Sequence, residues 1–273
     1  MHMNLEVLKN KKVIAIAGGV LLLIIAMLVL LRPGKSSGGS GKVKSIQSAG
    51  KLVVAVNSGQ NPALVKDGET YSGTEADLVI SIAKALNVPA EYIDKDSGEA
   101  ALEAVKSGEA DIAVGLISDQ MVSDPALIAS NVYMNAKLYV ATRRGDYSNS
   151  PAAFTGRKLD FSSGTQGAAA EIAGDGSGIT VSAVPDASAA ESYISAGEID
   201  GYVCTGEEYK EQFMGNRQLQ LQNLLNTSDI HYVVAAGQNG RDLIAGINQL
   251  IANGQKAAGA AESEPESTTG AEG

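Results

Sequence analysis

Cysteine occurs once in this 273-residue chain, histidine twice and tryptophan not at all. A single cysteine, Cys204, permits no intramolecular disulfide and no cysteine-based metal cluster. It lies in the apolar pattern of residues 202–204, which reads as a buried strand carrying an inert thiol rather than a nucleophile. His2 sits in the N-terminal leader and His231 in a predicted strand, so no histidine metal pair is expected and a Ser-His-Asp triad would rest on His231 alone. Positive charge is also scarce over most of the chain. Residues 1–44 carry seven Lys/Arg and one Glu, whereas the remainder carries fourteen Lys/Arg and thirty Asp/Glu. An acidic domain repels phosphate backbones, which argues against a nucleic-acid partner. Ser81 and Lys84 match the S-x-x-K nucleophile pattern, but neither S-D-N nor K-T-G accompanies them, and the pair falls on the polar face of an amphipathic helix. The acidic pair Glu207-Glu208 reads as a solvated turn. The chain is therefore expected to be no enzyme, with no catalytic residue, metal or cofactor.

Residues 13–31 form an uninterrupted apolar run of nineteen residues. A helix needs about 20 residues to cross a hydrocarbon core of about 30 Å. The run is longer than the apolar part of a secretory signal, and no A-x-A-like site or cysteine follows it. The expectation is a cytoplasmic leader over 1–12, a transmembrane signal anchor over 13–31 and a flexible Gly/Ser tether over 32–44. Lys9, Lys11 and Lys12 precede the run, and Arg32, Lys35, Lys42 and Lys44 follow it, so charge alone does not orient it. These basic flanks suit anionic lipid headgroups. Residues 257–273 are rich in Ala, Glu, Gly, Ser and Thr without apolar period and read as a disordered acidic tail.

Between tether and tail, one unit is used twice. Residues 104–115 (AVKSGEADIAVG) recur in outline as residues 193–203 (YISAGEIDGYV). In each, a helical pattern ends before Gly108 or Gly197, which suit a left-handed cap. A Glu, a spacer and Asp111 or Asp200 then open a short apolar strand. Strands are predicted over 52–56, 91–93, 112–114, 138–142, 158–161, 202–204 and 230–235. Helices are predicted over 75–86, 99–106, 167–173, 187–195 and 241–253, with Leu78, Ile82, Ala85 and Leu86 on the inner face of the first. Alternating strands and helices imply an α/β fold of two lobes, each a mainly parallel sheet flanked by helices. Open α/β sheets bind ligands beyond the carboxyl ends of their strands.

In their order and spacing, GKLVVAV (50–56), GTEADLVISIAKALNV (73–88), SGEADIAVG (107–115), FTGRKLDFSSGTQ (154–166) and AGEIDGYV (196–203) resemble the extracytoplasmic solute-binding proteins of polar amino acid ABC transporters, of type II periplasmic-binding-protein fold. The resemblance implies a binding domain over 45–256, with lobe 1 at about 45–135 and 230–256 and lobe 2 at about 136–229. It implies two crossing segments as a hinge and capture of a solute by lobe closure. The apolar run gives a single-pass cell-membrane location, and the resemblance implies that the C-terminal domain lies outside the cytoplasm, with an ABC permease as a possible partner. Ligand-binding candidates by the same resemblance are Ser58, Ala63, Gly115, Leu116, Ser118, Gln120, Ser163, Gly164, Thr165, Gln166 and Thr205.

The family's gripping residues are not reproduced. Where the family places an arginine for the substrate carboxylate, this chain reads Leu116-Ile117-Ser118-Asp119-Gln120-Met121. Thr205 stands where an acid usually meets the ammonium group, with Glu207 two residues on, and Asn61-Pro62-Ala63-Leu64 offers no stacking aromatic. A lost charge-assisted bond costs roughly 1.5–3 kcal/mol. The expectation is a small polar solute, neutral or cationic, facing a rim with Asp119, Asp124 and Glu207, or else a sensor or assembly domain that reuses the frame. At the helix start after residue 164, Thr165 either adds a hydroxyl donor for a ligand or serves as an ordinary Ser/Thr N-cap.

Overall fold

The computed structural model describes residues 41–57, 61, 63–146, 151–162, 164–169, 172, 178–182, 187–223 and 229–262. Helix α1 (Lys42–Ala49) leads into β1 (Leu52–Asn57) and the hairpin β2 (Val65–Asp67) and β3 (Thr70–Ser72). Then come α2 (Thr74–Leu86), β4 (Ala90–Lys95), α3 (Gly98–Ser107), β5 (Ile112–Val114) and β6 (Leu127–Ala129). The chain crosses on β7 (Met134–Ala136) into β8 (Leu138–Arg143), β9 (Lys158–Phe161) and β10 (Thr180–Ser182). It continues through α4 (Ala187–Ala196), β11 (Gly201–Thr205), α5 (Gly206–Phe213) and β12 (Leu219–Asn223). It returns on β13 (Ile230–Tyr232) and ends with β14 (Ala235–Gly237) and α6 (Arg241–Glu262).

Two five-stranded sheets result, in the orders β4-β1-β5-β14-β6 and β10-β9-β11-β8-β12. Both are mixed, not mainly parallel as expected. In lobe 1, β1 runs parallel to β4 and β5, but β14 is antiparallel to β5 and β6. In lobe 2, β9 runs parallel to β10 and β11, but β8 is antiparallel to β11 and β12. The reversed strands β14 and β8 each directly follow a crossing segment, and local periodicity does not report the direction in which a returning strand enters. The crossing segments themselves pair as an antiparallel ribbon, Tyr232 opposite Met134 and Ile230 opposite Ala136.

Alternation builds the cores. Leu52, Val54 and Val56 of β1 pack into one cluster with Val79, Ile82, Leu243 and Ile247, while Ala55 faces Ala101, Leu102 and Val105 of α3. Strand β1 thus buries both faces, as the central strand of a covered sheet does. In lobe 2, Val203 joins Leu159 and Phe154, while Tyr202 and Cys204 join Ile194 and Phe213. Burial pushes the Cys204 thiol well above its ordinary range, consistent with an inert core residue.

The repeated unit has the same chemistry in both lobes. Gly108 (φ 81°) and Gly197 (φ 76°) adopt the left-handed conformation. Asp111 accepts from the Val53 N–H at 2.8 Å, and Asp200 accepts from the Lys158 N–H at 2.8 Å. Each aspartate ties the start of its strand to the parallel neighbour.

Several elements differ from expectation. The last residues of the predicted tether, 42–44, are helical instead, because α1 forms over Lys42–Ala49 and buries Ile46 against α6. The N–H groups of Lys42 and Val43 donate to the Asp242 carboxylate at 3.2 and 3.1 Å, so a residue of α6 caps α1. The buried face of α2 is Glu75, Ala76, Val79, Ile82, Ala83 and Leu86, with Leu78 only half-buried. The strand predicted over 230–235 divides into β13 in the hinge and β14 in lobe 1. Helix α6 runs through Glu262, so residues 257–262 of the predicted tail are helical. No helix among the described residues is long and apolar enough to cross a membrane; the apolar run 13–31 lies outside them.

Candidate functional site at the interlobe junction

The loop after β5 is lobe 1's contribution to the junction. Gly115 has φ 105° and Leu116, without glycine's freedom, has φ 55°. A side chain at Gly115 would press on the Asn57 backbone at 2.7 Å, so only glycine fits there. Glu75, at the start of α2 and fully buried, holds this turn. Its Oε1 accepts from the N–H groups of Gly115 (3.2 Å) and Leu116 (2.9 Å) and from the Tyr133 hydroxyl; its Oε2 accepts from Asn61 Nδ2 at 2.7 Å. Burial and the neighbouring Glu75 push the Tyr133 phenol well above its usual range, keeping it a neutral donor. Sequence reasoning read Glu75 only as a helix-start residue. The signal was its place on the stripe 75–79–82–86, where a carboxylate must find internal donors.

Lobe 2 answers with Ser162, Gly164, Thr165 and the start of α5. Glu207-Glu208 is not a solvated turn. Thr205 and Glu208 form a capping box, with Thr205 Oγ1 accepting from the Glu208 N–H (3.2 Å) and Glu208 Oε2 from the Thr205 N–H (2.7 Å). Glu208 is buried; its Oε2 also accepts from Ser162 Oγ at 2.8 Å, and its Oε1 makes no hydrogen bond of ordinary geometry. Burial raises the Glu208 pKa, while the surrounding N–H and hydroxyl donors oppose that rise. Glu207 remains exposed.

The lobes meet closely. A methyl group added at Gly164 would sit 2.7 Å from Leu116 Cδ1 and 3.0 Å from Glu208 Oε1. One added at Gly167 would collide with Ser118 Oγ. Leu116 and Ala63 from lobe 1 belong to the apolar cluster of Leu138, Leu159, Phe161 and Ala168 in lobe 2. Tyr232 in the hinge donates to the Gly164 carbonyl at 2.8 Å and bridges Ser118 through the backbone.

The predicted site residues therefore separate. Ala63, Gly115, Leu116, Ser118, Gly164, Thr165 and Thr205 gather at or beside the junction, all buried. Gln120 and Gln166 are exposed, and Ser58 and Ser163 lie outside the described residues. Thr165 does not offer the expected hydroxyl donor, because its proton goes to the Val203 carbonyl at 2.9 Å. The segment after it is a 3-10 turn over Gln166–Ala168, with helical residues at Ala169 and Ile172; positions 170, 171 and 173 of the helix predicted over 167–173 lie outside the described residues. Asp119 pairs with His231 and Asp124 with Lys106, so neither stands alone on the rim. Arg143 donates to the Ile194 and Ser195 carbonyls, Arg144 to those of Arg217 and Leu219, Arg157 pairs with Asp146, and Arg241 donates to Gln238. Among the described residues no cluster of His, Cys, Asp and Glu has the makings of a metal site.

Two α/β lobes joined by a paired crossing ribbon, with a buried junction between them, define a two-lobed binding protein. The chain belongs to the bacterial extracellular solute-binding proteins, family 3, whose profile matches residues 52–259. It is a solute-binding protein and not an enzyme. A mutant of the arginine-binding protein of T. maritima is similar over 81% of this chain and 96% of its own, at 19% identity and TM-score 0.68. The substrate-binding protein AbpA of Streptococcus pneumoniae, solved with L-arginine, is similar over 80% and 94%, at 23% identity and TM-score 0.65. An ancestral arginine-binding protein bound to arginine covers 78% and 95%, at 22% identity and TM-score 0.64. At these identities the likeness shows the fold. A comparison with curated proteins returns no match.

Proposed function

We propose that this chain is a membrane-tethered extracytoplasmic receptor that delivers a small polar solute to an ABC importer, and that the side chains which grip an amino acid's carboxylate and ammonium groups have been replaced. The single observation that carries the second half is the placement of the arginines. Arg143, Arg144, Arg157 and Arg241 are each engaged with carbonyl or side-chain oxygens elsewhere, Arg217 is exposed, the stretch Leu116–Met121 carries no arginine where the carboxylate anchor is expected, and Thr205 stands where the acid is expected. A bidentate arginine is the strong, directional partner of a carboxylate. The AbpA and ancestral relatives are solved with arginine bound; among the described residues no arginine is left to hold that ligand's carboxylate at the present junction.

Tethering rests on the apolar run 13–31. Helix α1 begins at Lys42, so ten residues, 32–41, separate the end of the run from that helix. Fully extended, ten residues reach about 35 Å. The domain would stay close to the membrane, placed for a permease. Deleting residues 1–40 tests this by converting a membrane-fraction protein into a free one.

A second reading, a sensor or assembly domain without uptake, is favoured by the filled junction, where Leu116 meets Gly164 and Ser118 meets Gly167. A thermal-shift screen of the full chain with amino acids, polyamines, sugars and small peptides separates the two. A solute present at one hundred times its Kd stabilises the folded state by about 2.7 kcal/mol. A stabilising neutral or cationic solute supports the receptor. A blank across the panel supports the sensor.

A further inference from the structure

We propose that Leu116 determines specificity by occupying the junction itself: the lobes close on this side chain, and it keeps small ammonium-bearing solutes away from Glu208. The proposal rests on the reading of the junction as the solute site.

Four observations converge on Leu116. It is only 4% exposed, although it sits in a loop between two strands. Its backbone is left-handed, a conformation costly for any residue with a side chain unless the surroundings fix it. Glu75 does the fixing, by taking the Leu116 N–H and that of Gly115 on one carboxylate oxygen. The backbone donors at this turn are thus used internally rather than offered to a solute. The side chain then projects across the junction to lobe 2, where glycine at 164 leaves the room it needs.

What lies beneath is chemically incomplete. Glu208 Oε1 is buried, makes no hydrogen bond of ordinary geometry although the Gly164 N–H lies against the carboxylate, and faces the same side of Gly164 as Leu116 Cδ1. Ser118 Oγ, on the same loop as Leu116, is likewise buried without a partner. A carboxylate oxygen and a hydroxyl left unsatisfied are acceptors for a primary ammonium group, and each unmade bond is costly. The leucine methyl satisfies neither. It excludes a solute by volume while the polar groups that would recognise one remain in place.

The test compares the full-length protein with Leu116→Gly, using ethanolamine and L-alanine as probes. Glycine adopts a φ near 55° readily, so the backbone of the turn is preserved. Leu116→Ala serves as the second variant should the first lose cooperative unfolding. The expected result is no change in melting temperature of the wild type with either probe, and a saturable rise with ethanolamine in L116G, with an apparent affinity at least about tenfold above wild type. Adding Glu208→Gln to L116G should abolish the gain; glutamine keeps the capping box. Folded L116G and L116A that gain nothing overturn the role of Leu116 and leave the receptor reading standing. A wild type that binds L-alanine as well as L116G does overturns both, because neither the occlusion nor the loss of amino-acid anchors would then hold.

Discussion

The Glu75 carboxylate holds Leu116 by its backbone N–H at 2.9 Å, and with it the turn that lobe 1 presents to lobe 2. Four donors converge on that one buried side chain, from Asn61, Gly115, Leu116 and Tyr133. Glu75→Ala leaves them facing an empty, dry space. Unsatisfied buried donors cost about 1–3 kcal/mol each, so a total loss of at least about 3 kcal/mol is expected. Urea unfolding should show a lower midpoint. Hydrogen exchange should quicken at Gly115 and Leu116.

Asp242 caps a helix it does not belong to. Its carboxylate receives the first two N–H groups of α1, and Asp242→Ala removes both acceptors. N-cap losses cost roughly 0.5–2 kcal/mol. The expected outcome is faster exchange confined to residues 42–49, with lobe 2 unchanged.

Much of the frame was legible in the sequence, because it rests on local patterns. The repeated Gly-Glu-x-Asp unit located two left-handed caps and two strand-opening aspartates, and the strand over 158–161 fell where alternation put it. What escaped depends on distant partners. The antiparallel strands β8 and β14 follow from where the chain crosses between lobes. Helix α1 is short and polar on average, and is held by two features remote in sequence: the cap from Asp242, some two hundred residues away, and the packing of Ile46 against α6. Glu208 looked solvated beside Glu207, yet Thr205-x-x-Glu208 is a capping signature that could have been read. The junction was legible in its residues and not in its contacts, since Leu116 meets Gly164 only once both lobes exist.

Burial makes Glu208 a pH-dependent element. Its folded pKa is raised above the unfolded value, so the folded state binds the proton more tightly. The resulting stability is complete below the ordinary glutamate range and is lost as pH rises through the raised folded value. Glu208→Gln removes this dependence. Melting temperatures of the two proteins should diverge in the wild type's disfavour as pH rises through and above the ordinary glutamate range.

Gly167 keeps the lobes in contact, since any side chain there meets Ser118 Oγ. Gly167→Val should wedge the junction open. Small-angle scattering should report a larger radius of gyration than for the wild type. Because the clash lies between lobes and not within one, far-ultraviolet circular dichroism should remain unchanged.

The central claim, a solute-binding clamshell without its amino-acid grips, is tested most directly by calorimetric titration of L-arginine into the full-length protein. The account predicts no saturable heat. Submicromolar binding of L-arginine would contradict it, and would mean that a cation reaches the junction to hold the carboxylate.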